Sequence, residues 1–466
     1  MTLKSLSAML MQRFCLSVKQ GWFSSSVFFC HKQSMKLGVV LGGSIILQAC
    51  ASYGQHAVNM RDGLLMGHPE MSLAIAEKTD PDQEEVISSL DKGMLRRMNN
   101  DFTGSNKILE IAKQEIEKLH GISITENLAS VTINETLRGY EGDPYEQLLL
   151  HAYMAMNYIQ LGQFDEARVE MLQANVKMME WGDEPEEDAY LRYLEGIIYE
   201  NLGEYDNALI SYRKAYIVYK EKGEQYPAIP DSLKKDLLRL TAREGLRSEY
   251  EAFKKEFGMP NFKPAKVSNR FGELIVILNN GLAPIRYEAS IYIFSSEVQQ
   301  NLRVAFPVYR DNKKRLSKPV IKVAGKQYAM ETVEDVDKLA RHALSEAMPG
   351  IMVRATARAV VKYNTQHTAQ DNSSFAGLLM TVTNLVTERA DTRSWSTLPQ
   401  EIQLRRIDLP AGEHQVQLQL LNAAGQLVDT INETVIIKPK KSSFVIKHWV
   451  APVPKISRQK TEKSNS

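Results

Sequence analysis

Downstream of residue 50 the chain contains no cysteine, its three being Cys15, Cys30 and Cys50. A disulfide framework and a thiolate metal site are therefore excluded from the body of the protein, and thiol redox chemistry with them. Long hydrophobic runs are missing too. The run Leu37 to Leu47 and the Thr-containing stretch Phe375 to Val386 both fall short of the ~20 residues that a membrane-spanning helix needs. Nor is there an excess of positive charge. Residues 1–49 carry five basic residues (Lys4, Arg13, Lys19, Lys32 and Lys36) and no acidic one, which leaves 52 basic against 56 acidic residues from Cys50 on, a formal charge of −4. Such a balance gives no general attraction to a phosphate backbone, so nucleic acid is not an expected partner. Only the last stretch is locally basic, with Lys455, Arg458, Lys460 and Lys463 against Glu462, a pattern expected of a solvated tail.

Signatures of catalysis are also lacking. There is no Gly-x-Ser-x-Gly elbow, no phosphate-binding glycine loop and no helix with paired histidines. The histidines after Cys50 (His56, His68, His120, His151, His342, His367, His414 and His448) are dispersed, none four residues from another. Two Ser-x-x-Lys matches occur, Ser211 to Lys214 and Ser232 to Lys235, but the Ser-Asp-Asn and Lys-Thr-Gly elements of serine acylases do not accompany them. No catalytic residue, cofactor or metal ligand is named, and the chain reads as a non-enzyme, although distant residues can converge in a fold.

What is present begins with Leu47-Gln48-Ala49-Cys50, which closes the apolar run. A run of that length behind Lys36 has the dimensions of a signal-peptide core. The tetrad resembles the lipobox of bacterial lipoproteins, in which Leu47, Gln48 and Ala49 form the signal-peptidase recognition site and Cys50 is acylated and becomes the new N-terminus. Translation is expected to begin at Met35. Two or more acyl chains anchor stably where one does not. The residues after the cysteine are Ala51 and Ser52 rather than an aspartate, which by the same resemblance points to the outer membrane, at its periplasmic face.

From Asp80 to about Gly258 the pattern is helical and repeats. Three segments place an aromatic in a turn with a small residue three positions on: Phe102 and Ser105, Phe164 and Ala167, Tyr205 and Ala208. A large residue follows (Leu109, Met171, Tyr212), then an alanine (Ala112, Ala174, Ala215), and twelve residues before each small residue lies another (Gly93, Ala155, Gly196). This grammar resembles the tetratricopeptide repeat (TPR), with Tyr158 and Gly162, and Tyr199 and Gly203, at further motif positions; Arg96 replaces the aromatic in the first segment. Helix starts are expected at Asp80-Pro81-Asp82-Gln83, at Asp143-Pro144-Tyr145-Glu146 and at Asp183, Pro185 and Glu186. Leu233 to Leu240 and Leu246 to Phe257 are expected to form a capping pair. By the resemblance, the first helices would line a concave groove for a partner protein, formed by Leu149, Ala152, Met156, Ile159, Tyr190, Tyr193 and Ile197. The alternative is that the first repeat or the rest of the chain covers these side chains.

Past Pro260 and Pro264 the texture changes to alternating runs: Glu273 to Leu278, Tyr287 to Phe294, Leu302 to Tyr309, Pro319 to Val323, Ile402 to Ile407, His414 to Leu421, Leu427 to Ile437 and Phe444 to Val450. Eight short strands suggest a sandwich or curled sheet. Arg389 to Pro399 reads as a turn anchored by a buried Trp395 and an Asp391–Arg393 pair, the alternative being a recognition surface. The fold class expected is α+β multidomain. Residues 1–49 would be the signal peptide, 50–79 a lipidated linker, 80–258 the TPR-like helical domain, 266–450 a strand-rich, sandwich-like domain with a helical insertion over 333–389, and 451–466 a disordered basic tail.

The lipobox, Arg138-Gly139-Tyr140-Glu141-Gly142-Asp143 and Asp391-Thr392-Arg393-Ser394-Trp395 together resemble a family of uncharacterised bacterial outer-membrane lipoproteins with TPR-like repeats. The resemblance implies a lipid-anchored scaffold whose partner is an envelope protein, in cell-envelope or peptidoglycan-synthesis regulation. An envelope hydrolase or glycan-binding enzyme sited in the strand-rich half, and an assembly factor for a secretion or surface structure, are the alternatives.

Overall fold

A computed structural model describes residues 57–78, 86–126, 139–181, 187–264, 269–296, 298–310, 319–372, 389–422 and 424–451. The described residues all belong to one compact unit. Its first two helices, α1 (57–65) and α2 (Pro69–Ala76), pack Met60, Leu64 and Ala76 against Leu95.

Four helical hairpins follow: α3 (Val86–Met98) with α4 (Phe102–Glu126), α5 (Pro144–Gln160) with α6 (Phe164–Glu180), α7 (Ala189–Leu202) with α8 (Tyr205–Glu221), and α9 (Asp231–Arg243) with α10 (Arg247–Glu256). The TPR-like small-to-large pairing is their physical basis. A Cβ at Gly93 would lie 2.4 Å from Leu109 Cδ2, and one at Gly196 would lie 2.3 Å from the Tyr212 ring. The first helix of each hairpin thus leaves a notch that the second fills. Ser105, Ala167, Ala208, Ala112, Ala174 and Ala215 are all buried where the helices meet. Gly162 and Gly203 take the left-handed conformation (φ 74° and 82°) that ends α5 and α7. Tyr212 is held by its own hydrogen bonds to Glu200 and Arg406, so it cannot swing aside for a side chain at position 196. Gly196→Val is expected to destabilise the protein by about 1–3 kcal/mol through overpacking, read as a lower urea midpoint with an unchanged slope.

The helix starts agree with the sequence in one place and differ in another. Asp143 precedes Pro144, and its N–H donates to Glu146 Oε2 at 2.9 Å. At α7 the capping residue is Asp188, whose carboxylate accepts from the Leu191 N–H at 2.7 Å. Asp183, Pro185, Glu186 and the Asp80–Gln83 signal lie outside the described residues.

Ten strands are found among the described residues, two more than the alternation predicts. In chain order they are β1 (Phe271–Asn280), β2 (Arg286–Ser295), β3 (Gln300–Tyr309), β4 (Val320–Val323), β5 (Lys326–Ala329), β6 (Glu331–Asp335), β7 (Glu401–Pro410), β8 (Gly412–Leu421), β9 (Leu427–Ile437) and β10 (Ser442–Trp449). The additions, β5 and β6, are short and polar, and β6 pairs with β7 through a bulge at Val333. The helical insertion therefore begins at Val336, after Val333 to Asp335 are spent on β6, and runs as α11 (Val336–Asn372). Phe375 to Val386 and residues 452–466 lie outside the described residues.

One four-stranded sheet has the order β10-β1-β7-β6, a second has β5-β4-β8-β9, and β2-β3 form a separate hairpin against whose β3 strand α11 packs. β1 sits at the centre of the first sheet, parallel to β10 and antiparallel to β7. Strand periodicity splits its side chains between two cores. Leu274, Val276 and Leu278 join Val416, Leu418 and Ile321 of the second sheet. Ile275 and Ile277, with Ile402, Leu404 and Ile446, join the hairpin helices. The result is three layers, helices on one sheet and that sheet on another, with one core between the helices and the first sheet and a second between the two sheets. The fold is α+β, with a sandwich as its strand-rich part.

Candidate functional site

The residues expected to line the concave groove are buried. Leu149, Ala152, Met156, Ile159, Tyr190, Tyr193 and Ile197 are each at most 4 % exposed. What covers them is the helix-facing side of the first sheet, so the concave face is a filled interface and not an open groove. Polar contacts fix it in register. The Tyr153 hydroxyl donates to Asn279 Oδ1 (3.1 Å), Tyr219 to the Val333 carbonyl (2.6 Å) and Tyr193 to Asp236 Oδ2 (2.9 Å). Tyr190 points its hydroxyl at the Met156 sulfur, 3.3 Å away. Cys50, Leu47, Gln48 and Ala49 lie outside the described residues.

Of the two distant motifs, the described residues 139–143 of the first come together with 391–395; Arg138 lies outside the described residues. Asp143 starts α5; its carboxylate pairs with Arg286 of β2, whose Nη1 also donates to the Arg393 carbonyl at 3.3 Å. Arg393 in turn forks onto Asp391 (3.0 and 2.9 Å) and lies over the Tyr140 ring, 5.4 Å from its centre. Trp395 is fully buried and donates its indole N–H to Thr397, the anchored turn that the sequence predicts.

Two buried carboxylates clasp this turn. Glu146 accepts from the Trp395 N–H (2.8 Å), the Asp143 N–H (2.9 Å) and the Tyr140 hydroxyl. Asp91 of α3 accepts from the Thr397 N–H (3.2 Å), the Thr397 hydroxyl (2.8 Å) and Ser396 (3.2 Å). Burial, reinforced by the Asp143 charge, pushes Glu146 up to about 7. A cavity of ≈ 340 Å³ opens beside this cluster, with Asp143, Arg286, Asp391 and Arg393 on one wall and Leu344 and Ile351 of α11 on the other. Each of those two guanidiniums is neutralised by a carboxylate at the wall itself. Chemically this is a set of charge clamps that lock the turn to α3, α5 and β2.

The Ser-x-x-Lys matches form no nucleophile pair. Ser211 donates to Glu195 (2.9 Å), Lys214 reaches Glu187 (3.2 Å), and the Ser232 N–H is held by Glu331 (2.9 Å). No cluster of three His, Cys, Asp or Glu suited to a metal ion occurs among the described residues. Sequence reasoning also missed another buried acid, Glu334 of β6. Neither of its carboxylate oxygens has a hydrogen-bond partner, and desolvation, with Asp188 and Asp335 nearby, pushes its pKa well up. The sequence carried no clear signal for it, because β6 is short and polar and the stretch from Val333 on reads as helix.

No protein-family model and no curated protein matches the chain. Among solved structures, MamA from MSR-1 is similar at 13 % identity over 46 % of this chain and 97 % of its own, with a TM-score of 0.28. MamA from Desulfovibrio magneticus RS-1 is similar at 13 % identity over 44 % and 94 %, TM-score 0.28. The TPR-like repeats of a Podospora anserina protein described as a kinesin light chain are similar at 14 % over 45 % and 93 %, TM-score 0.28. At scores this low the helical-hairpin assignment rests on the small-to-large pairing in the chain itself.

Proposed function

We propose that the protein is a lipid-anchored, non-catalytic adaptor of the cell envelope, held at the periplasmic face of the outer membrane, and that it binds a partner protein on the outer face of its helical hairpins. The observation that carries the partner surface is on α6. Val169, Leu172, Val176 and Met179, 46–68 % exposed, follow one another at steps of 3, 4 and 3 residues. On a helical wheel they lie opposite the buried Ala167, Met171, Ala174 and Met178. Ile210 and Ile217, also exposed, repeat the arrangement on α8. A helix apolar on two opposite faces belongs between two layers, and among the described residues this chain supplies one of them. The step pattern is that of a helix-packing seam, so the missing layer is a helical segment of the partner. A photocrosslinking residue at Val176 in intact cells is expected to trap one defined protein, and the same residue at exposed Tyr292 is not. Equal, diffuse labelling at both positions would overturn the reading.

The anchor rests on Leu47-Gln48-Ala49-Cys50, which closes the apolar run behind Lys36. No described helix is long and apolar enough to cross a membrane. Cys50→Ala is expected to abolish incorporation of labelled palmitate and to move the protein out of the outer-membrane fraction. Retention of the label in that variant would place the acyl group elsewhere.

A further inference from the structure

The two sheets end, on one side of the sandwich, in the edge strands β10 and β9, and a groove of ≈ 520 Å³ lies between them. It is lined by residues 433–436 and Lys438 on one side, residues 442–447 on the other, and Gln160 of α5. Carbonyls of Lys441 and Trp449 bond to the β1 side, accepting from Glu273 and Gly281 (3.0 and 2.8 Å). Strand periodicity then turns the N–H and C=O groups of Phe444, Ile446 and His448 the other way, toward the groove. The Ile446 carbonyl is met there by Gln160 Nε2 at 3.4 Å, and no strand pairs with this edge among the described residues. On the β9 side the Ile436 carbonyl faces the groove and accepts from Ser443 Oγ (2.8 Å), with the Ile436 side chain 62 % exposed.

One end of the groove is a positive corner built into the backbone. The turn Lys438-Pro439-Lys440-Lys441 joins the two edges, and Lys438, Lys440 and Lys441 are exposed with no ion pair among the described residues. Lys447 is different, being matched by Glu433 at 2.5 Å. The turn is fixed in place: the Lys440 N–H bonds to the Phe271 carbonyl (2.8 Å), Lys440 sits at φ 58°, and a Cβ on Gly272 would lie 2.1 Å from the Lys438 carbonyl. Gly272 is thus the one residue type that lets the lysine turn seat on β1.

We infer that this groove takes an extended acidic segment of a protein, which adds to the β10 edge by main-chain hydrogen bonds and sets its carboxylates against the lysine turn. Free strand edges select an extended chain over a helix or a small molecule, and the unmatched lysines select its charge. The inference goes beyond the adaptor reading, since this surface is separate from the α6 and α8 seam.

Fluorescence anisotropy with the purified full chain in detergent tests it, using a labelled peptide of about eight residues that alternates glutamate with valine or threonine. Saturable binding is expected, weakened at least about tenfold when alternate residues of the peptide are N-methylated, because the lost N–H groups cannot bond to the edge. A comparable loss is expected for Lys440→Glu with Lys441→Glu, both exposed and so harmless to folding, which an unchanged thermal melt checks. No saturable binding, or equal binding of the N-methylated peptide, would overturn the inference. A crosslinked partner at Val176 with none at Ile436 would remove this site and leave the adaptor reading standing.

Discussion

Replacing Arg406 with alanine is expected to cost about 3–5 kcal/mol of folding stability, the largest single loss predicted for this protein. Arg406 stands in the middle of β7 on its helix-facing side, 6 % exposed. Its guanidinium forks onto Glu273 of β1 (2.7 and 2.6 Å) and also reaches Glu200 of α7 (3.1 Å), Asp236 of α9 (2.9 Å) and the Tyr212 hydroxyl of α8 (2.9 Å). One side chain therefore ties the sheet to three helices. Burial works against ionisation of Glu200, yet Arg406 and Arg239 together hold it down at about 2. Alanine would strand three carboxylates in a closed interface with only Arg239 to answer them, and the cost is that of uncompensated buried charge. Arg406→Lys should recover only part of the loss, because an ammonium cannot fork. Urea denaturation of the two variants measures both numbers. A loss below about 1 kcal/mol for alanine would mean that the acids relax into water, and the interface would then be far looser than its packing implies.

Glu334→Gln is expected to act in the opposite direction, and its effect should grow with pH. The Glu334 carboxyl is fully buried, and desolvation first, then the charges of Asp188 and Asp335, raise its pKa well above 4.5. Below about pH 4.5 the folded and unfolded chains both hold the proton, so the residue contributes no pH-dependent penalty. Above it the unfolded chain releases the proton while the folded chain keeps it, so folding loses about 1.4 kcal/mol per pH unit until the folded pKa is reached. Glutamine has no such proton. Its amide adds a fixed cost of about 1–3 kcal/mol if it finds no partner, but the difference between variant and parent should still climb in the variant's favour as the pH rises above 5. Thermal melts across that range supply the test. A flat difference would show that the carboxylate finds compensation when ionised.

The helical grammar could be read from sequence because its physics is local. Gly93 against Leu109 and Gly196 against Tyr212 are contacts within one hairpin, and a notch opposite a large side chain leaves its mark at a fixed spacing. The fate of the concave face could not be read in the same way. It depends on which surface of a distant sheet arrives, and its marks in the sequence are sparse: β1 apolar on both faces, and an arginine, Arg406, in the middle of a strand with no local partner. Both were visible, but neither named its complement. The seam at Trp395 was legible as a turn because the Asp391–Arg393 pair is two residues apart, whereas its clasp by Asp91 and Glu146 spans more than 240 residues of chain. β5 and β6 escaped notice because Lys326–Ala329 and Glu331–Asp335 are too polar to alternate visibly; pairing, not side-chain pattern, makes them strands.

The position of β10 carries a last implication, for the order of events in the life of the polypeptide. The strand nearest the C-terminus lies beside β1, with partners such as Glu273 and Ser442 separated by 169 residues. Ribosomes deliver the helical hairpins long before the piece that seals their floor. Until then the half-made molecule has no way to complete its core, and such long-range pairing is intrinsically slow to form. The lock is thus the last strand of the described fold to be manufactured, and the shared core closes only once it arrives.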